Sequence, residues 1–255
     1  MKLHTRLVRG LVHALGFELT RLQPLAYAPH ANVLGVKAFK DIQRLMPTDK
    51  PAVLFDIGAN SGQSVRTFKD LFPTSLIYSF EPSPTVYEQL VENVKVYDDV
   101  RTNNSAVGSA SGEQILLENS NSDMSSFMRP GRLGWGKVEK ESLVKVVTLD
   151  DYCTANQVPF ISLLKIDTQG YELEVLKGAQ TLMREDRIQM IYLEVNFAEL
   201  YVGLPRVDDI FRFLLDNNFR LVSFYEFAHQ GHLASWSDAL FLNLKFQRPL
   251  YKEPV

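Results

Sequence analysis

The chain has 255 residues, is 45% hydrophobic and carries a net charge of −3. That length suits one α/β domain with additions. The apolar content excludes a disordered chain, and the acidic balance (pI near 6.0) argues against a nucleic-acid partner.

In chain order, Leu3, Leu7, Leu11 and Leu15 recur every fourth residue, with Val8 and Val12 beside them and Lys2, Arg6 and Arg9 on other faces. This is the pattern of a basic amphipathic helix. It is too short and too charged for a membrane span, which needs about 20 apolar residues. His13 also breaks the apolar run that a signal peptide requires. Packing on the domain and peripheral attachment to an anionic membrane both fit it. Residues 22–35, with Pro24, Pro29 and Gly35, read as an irregular connector, and Val36, Phe39, Ile42 and Leu45 as a second helix. Residues 1–49 are thus expected to be a helical extension, leading into a domain over 50–248.

The stretch Val53-Leu54-Phe55-Asp56-Ile57-Gly58-Ala59-Asn60-Ser61-Gly62 dominates the rest of the chain. Its apolar run without alternation suits a parallel strand covered on both faces. Gly58 and Gly62 are expected to let the backbone turn tightly and approach a ligand, and a helix with Val65, Phe68 and Leu71 comes next. The glycine spacing is not that of a dinucleotide fingerprint. No Gly-Lys-Ser/Thr is present after it, which excludes a Walker loop. An acid before the loop suits an ammonium or hydroxyl better than a pyrophosphate. A second strand over 76–80 ends in Glu81, and a carboxylate there can accept both hydroxyls of a ribose. A nucleoside joined to a cationic amino acid and free of phosphate meets these terms. S-Adenosylmethionine is such a molecule.

Pro82 and Pro84 open a helix, and residues 100–107 read as one strand whose end offers Ser105 and Ala106 to an adenine edge. An ordinary polar turn fits Ser105 and Ala106 as well. Residues 108–148 are least regular: strands over 112–117 and 143–149 flank a long loop that reads as a substrate lid. Trp135 in that loop suits either a sugar platform or hairpin packing. A short helix over 149–156 carries Cys153, the single cysteine. One cysteine excludes an internal disulfide or a cysteine-based zinc site, is compatible with the cytosol, and here reads as a small apolar core residue. A strand over 160–166 ends at Asp167. Gly170 then leads into a helix with Leu173, Leu176 and Ala179 inside, and Glu172 and Lys177 outward. A strand over 188–195 carries Glu194, a loop covers 198–206, and a helix begins at Val207. Strands over 219–225 and 239–244 close the sheet. Alternating strands and helices predict a doubly wound, mostly parallel sheet. The last two strands are joined only by a loop and must be antiparallel.

Asp56, Glu81, Asp167 and Glu194 therefore stand at strand ends, where open α/β sheets bind ligands. Four converging acids call for a cation, which a sulfonium supplies. Methyl transfer to a hydroxyl also needs a base. Asp167, Glu194 and the loop histidines His229 and His232 are the candidates, with Lys165 placed to hold the acid or the acceptor. A divalent ion on Asp167 and Glu194 is a less favoured alternative.

Three blocks, Asp56-Ile-Gly-Ala-Asn-Ser-Gly-Gln63, Phe80-Glu-Pro-Ser83 and Leu164-Lys-Ile-Asp-Thr-Gln-Gly-Tyr-Glu-Leu-Glu-Val-Leu-Lys-Gly178, together resemble FkbM-type methyltransferases. The resemblance covers roughly residues 50–245. It implies a class I, Rossmann-like domain of seven strands with one antiparallel. It further implies S-adenosylmethionine as donor, S-adenosylhomocysteine as product, and O-methylation of a sugar or glycan-linked hydroxyl. On these blocks Asp56, Gly58, Ala59, Asn60, Gly62, Glu81, Pro82 and Asp167 are the expected cofactor contacts. Gln169 departs from the family pattern, which has Glu there. The alternatives are a non-catalytic nucleoside-binding scaffold and, more weakly, a dehydrogenase. The cytoplasm is the expected location, with the N-terminal helix as the one route to a membrane.

Overall fold

The computed structural model describes residues 34–46 and 51–247. The basic helix and most of the connector expected before residue 34 lie outside the described residues. Helix α1 (Ala38–Leu45) sends Ile42 into the same core as Leu54, Val65, Phe68 and Leu90. This part of the expected extension is therefore built into the domain.

Strand β1 (Val53–Ile57) is buried along almost its whole length, as its apolar run dictates. After it come α2 (Gln63–Leu71), β2 (Leu76–Phe80), α3 (Pro84–Val94) and β3 (Val100–Asn103). Ser83 caps α3 by accepting from the Val86 N–H, with Pro84 in the first turn where no N–H is missed. Beyond the insertion lie α4 (Leu149–Ala155), β7 (Ile161–Ile166), α5 (Glu172–Lys177), α6 (Gln180–Arg184), β8 (Ile188–Asn196) and α7 (Val207–Asp216). The chain ends in β9 (Phe219–Gln230) and β10 (Leu233–Asn243). The seven-stranded sheet runs β3-β2-β1-β7-β8-β10-β9. Only β10 is reversed: it lies antiparallel to both β8 and β9. One face packs Phe55, Leu164, Val175 and Ile191, and the other Leu54, Leu163 and Met190. The strand order reverses beside β1, so the carboxyl ends of β1, β2 and β7 open on a shared crevice.

Five details differ from expectation. Strands β9 and β10 run to Gln230 and from Leu233, so most of the loop expected between 225 and 239 is strand and His229 lies on β9. The strand expected over 100–107 breaks after Asn103, where the Asn104 side-chain Nδ2 donates to the carbonyls of Glu81 and Pro82. Strand β4 (Ala106–Val107) then joins a second sheet, β4-β6-β5, formed with β5 (Gly112–Asn119) and β6 (Val138–Val147). The two insertion strands pair antiparallel as expected, but β5 runs two residues further and β6 begins five residues earlier and ends two earlier, so the loop between them is shorter. The helix after Gly170 is two short helices, since Gly178 lies against the Gly108 carbonyl, 2.0 Å from where a Cβ would stand. Finally, Glu172 is buried, not outward.

Candidate active site

Gly58 takes φ +80, and a Cβ there would meet the Asp167 carbonyl oxygen at 1.8 Å. A Cβ on Gly62 would meet Val94 and Leu90 of α3. Both glycines therefore permit close packing of protein on protein, and Gly58 also lines the hollow while Gly62 does not. The Gly58 and Ala59 amides both donate to the Phe80 carbonyl, tying the β1 turn to the end of β2. Asn60 holds a left-handed φ of 46°, a conformation that asparagine tolerates better than most residues with a side chain. Its own N–H donates to Glu81 Oε2 at 2.9 Å, and the Ser83 N–H to Oε1 at 2.9 Å. Burial pushes the Glu81 carboxyl up to about 7, against the pull of these two N–H groups. Two donors fix the carboxylate and leave it lone pairs for a ligand.

Glu81 and Asp167 share one hollow, whose empty space is about 690 Å³ when the open solvent at its mouth is counted. Of the expected contacts, Gly58, Asn60, Pro82, Ser105 and Ala106 also line it. Asp56, Ala59 and Gly62 do not. Asp56 is fully buried beneath the hollow, where Lys165 Nζ donates to its Oδ1 at 3.0 Å. Its Oδ2 finds no hydrogen-bond partner among the described residues. Lys165 also reaches Asp167 Oδ2 at 3.4 Å. Burial opposes the lysine's charge, but Asp56 and Asp167 outweigh it and hold the ammonium protonated. The chain thus supplies a cation of its own to these acids.

The turn after β7 is folded by Glu172, whose Oε1 accepts from the Thr168 and Gly170 N–H groups and the Thr168 hydroxyl. Burial lifts this carboxyl to about 7. Gln169, at φ +58, donates from Nε2 to Asp167 Oδ1 at 2.7 Å. Its Oε1 accepts from the Tyr201 hydroxyl at 2.7 Å. A carboxamide can do both at once, whereas an ionised glutamate could not donate to Asp167. Glu194, on β8, is raised well above the carboxylate range by burial, then by Asp167 and Glu172. Asn196 Nδ2 donates to its Oε1 at 3.0 Å. Across the antiparallel pair stands Asp238, which accepts from the Tyr192 hydroxyl at 2.6 Å. His229 and His232 sit exposed near the turn of the β9–β10 hairpin, outside the walls of the hollow.

The insertion completes the hollow with Leu116, Ser122, Asp123, Ser126 and Phe127. It is tied down at Asn60 Nδ2–Ser122 Oγ (3.3 Å) and Ser126 Oγ–Gln169 O (2.7 Å). Sequence patterns did not single out Tyr201, Asp238 or Phe127, nor the inward role of Glu172. Of these only Glu172 carried a local signal, an acid in the first turn after Gly170. No group of three or more His, Cys, Asp or Glu placed to hold a metal ion occurs among the described residues. No described helix is long and apolar enough to cross a membrane.

The family model of the FkbM methyltransferase domain matches residues 56–221. The chain is 28% identical over 238 residues to the 2-O-methyltransferase NoeI of Sinorhizobium fredii, covering 88% of this chain and 93% of that protein. It is 27% identical over 184 residues to the hexuronic acid methyltransferase AglP of Haloferax volcanii, covering 69% of this chain and 68% of that one. Among solved structures, TrmK of M. capricolum in complex with S-adenosylhomocysteine aligns with a TM-score of 0.48 at 9% identity, over 81% of this chain and 67% of that one.

Proposed function

The chain belongs to the FkbM methyltransferase family, and from that membership we propose that it methylates a hydroxyl of a sugar or glycan with S-adenosylmethionine as donor. The observation that supports this donor is the shared hollow of Glu81 and Asp167. Glu81 is held by two backbone N–H groups where ribose hydroxyls can donate to it. The apolar end, with Phe80, Val107, Leu116 and Phe127, takes a flat base. Glu81, Asp123 and Asp167 line the walls, and no lysine or arginine does. That balance favours a cationic ligand. Bound there, S-adenosylmethionine supplies a methyl group made electrophilic by its positive sulfur.

Asp167, which lines the hollow, and Glu194, which is not among its lining residues, have different surroundings, and so different roles. Asp167 is held at one oxygen by Lys165 and at the other by Gln169, which fixes its direction. It positions. Glu194 has one oxygen on Asn196, and burial, with Asp167 and Glu172 near it, raises its carboxyl above the ordinary range. In its ionised form it can take the hydroxyl proton as the acceptor oxygen is methylated. Glu194 is the base. The sugar class is supported by the two relatives, one named a 2-O-methyltransferase and the other a hexuronic acid methyltransferase.

A labelled-methyl assay against a panel of glycans tests the proposal. Label in a sugar methyl ether is the expected result. Tight S-adenosylhomocysteine binding with no glycan ever labelled would favour the scaffold reading instead.

A further inference from the structure

We propose that Trp135 and Trp236 form the platform on which the acceptor's sugar ring lies, beside the Asn196 amide and the Glu194 carboxylate. This rests on the sugar reading above and adds the residues that hold the ring. Trp135 comes from the insertion and Trp236 from β10, yet their rings lie 5.7 Å apart at 37°. Both pack on Met124, Leu200 and Tyr201 while each keeps part of its surface exposed. The platform adjoins the donor hollow through Tyr201, whose hydroxyl meets Gln169 in the hollow's wall.

Packing alone does not account for the polar groups here. Neither indole N–H has a hydrogen-bond partner among the described residues. Trp236 stands opposite Asn196 in the β8–β10 pairing. Asn196 is 8% exposed, and its Oδ1 is without a partner among the described residues. Its Nδ2 is already engaged by Glu194. Two aromatic faces with two free donors, flanked by a carboxylate and an unmet amide oxygen, suit a ring with apolar C–H faces and hydroxyls at its rim. Flat aromatics would use the faces and leave the rim unmet. The platform is also anchored from both sides. Asn119 Nδ2 donates to the Trp135 carbonyl and Gln230 Nε2 to the Leu133 carbonyl, each at 3.1 Å.

These are the only two tryptophans in the chain, so intrinsic tryptophan emission reports on the platform directly. The full chain, saturated with S-adenosylhomocysteine, is titrated with free glucose, N-acetylglucosamine, fucose and glucuronic acid. The same sugars are offered in the labelled-methyl assay. The sugar that is methylated should shift the emission, with half-saturation near its KM. Trp236→Ala should raise that KM tenfold or more, with kcat and the Kd for S-adenosylhomocysteine within about twofold. Trp236→Phe, which keeps an aromatic face, should stay within about threefold. A sugar methylated by the unaltered protein with no emission change, and a KM indifferent to Trp236→Ala, overturns the platform and leaves the methyltransferase reading intact. Emission shifts without any methylation uphold the platform and count against sugar methylation. No emission change with any sugar, methylated or not, overturns the platform.

Discussion

The two halves of the crevice are built differently. On the donor side, Glu81 is fixed by backbone amides only 21 and 2 residues away in sequence. On the acceptor side, the pairs Gln169–Tyr201, Tyr192–Asp238 and Asp56–Lys165 span 32, 46 and 109 residues. The donor half is backbone geometry, set by a local turn. The acceptor half is side-chain charge, assembled from distant strands, with the Lys165 ammonium paired to Asp56 and Asp167. Mutations should therefore separate the halves: acceptor-side changes act on stability or turnover, and donor-side changes on cofactor affinity.

The largest effect is expected at Lys165. Lys165→Met removes the cation beneath the crevice and leaves Asp56 buried without an ion-pair partner, at a cost of about 3–5 kcal/mol. Thermal denaturation measures it, and a loss below about 1 kcal/mol would mean that Asp56 is carried by something else. Next comes Glu194→Gln, which keeps the shape and removes the proposed base. It should lower kcat by about 10²–10⁴-fold and leave S-adenosylhomocysteine affinity as it was. Equal losses in both would dissolve the division between the halves.

Glu81→Ala acts on the other half. It should weaken S-adenosylhomocysteine binding by about 1–3 kcal/mol, the scale of a lost charged hydrogen-bond partner, and it also costs stability, because the Asn60 and Ser83 N–H groups lose their acceptor. Unchanged affinity would remove Glu81 from the ribose.

A smaller, pH-dependent effect arises from the same carboxyl. Its folded value of about 7 lies above the ordinary 4.5, and the value at Glu172 does likewise. The cofactor-free fold binds these protons more tightly than the unfolded chain does. Their contribution to stability is therefore full below 4.5 and lost as pH rises through about 7. Ribose hydroxyls need the ionised carboxylate, so cofactor affinity should instead climb through about 7 and level off above it. Glu81→Gln should flatten the binding curve, and Glu172→Gln only the stability curve. Smallest of all, His229→Ala and His232→Ala alter exposed side chains and should change stability by no more than about 0.5 kcal/mol. A collapse in kcat for either would move the base from Glu194 to the hairpin.

The same contrast explains which parts of the molecule are legible in the sequence. The apolar runs of β1 and β7, the acids at their ends and the Gly58 turn are local signals, and they are enough to locate the donor half. The hairpin of β9 and β10 is implied by the short connection between them. Glu172 is misread because helical periodicity assigns a first-turn acid to solvent, while three donors of the Asp167–Gly170 turn draw it inward. Likewise Asn104 gives no sign that its side-chain Nδ2 donates to the Glu81 and Pro82 carbonyls where β3 ends. Tyr201, Trp236 and Asp238 reach the acceptor side only through sheet register and loop packing, which no spacing in the sequence encodes. Gln169 stands out in the sequence as a departure from a pattern. Its place between Asp167 and Tyr201 shows what a carboxamide can do there that a carboxylate cannot.

The central claim is that an adenosyl donor without phosphates lies between Glu81 and Asp167. The most direct test is calorimetric titration of the unaltered chain with S-adenosylhomocysteine and, separately, with NAD. Saturable one-to-one binding of S-adenosylhomocysteine and no measurable heat from NAD are the predicted results. Strong binding of NAD, with S-adenosylhomocysteine inert, would contradict the claim.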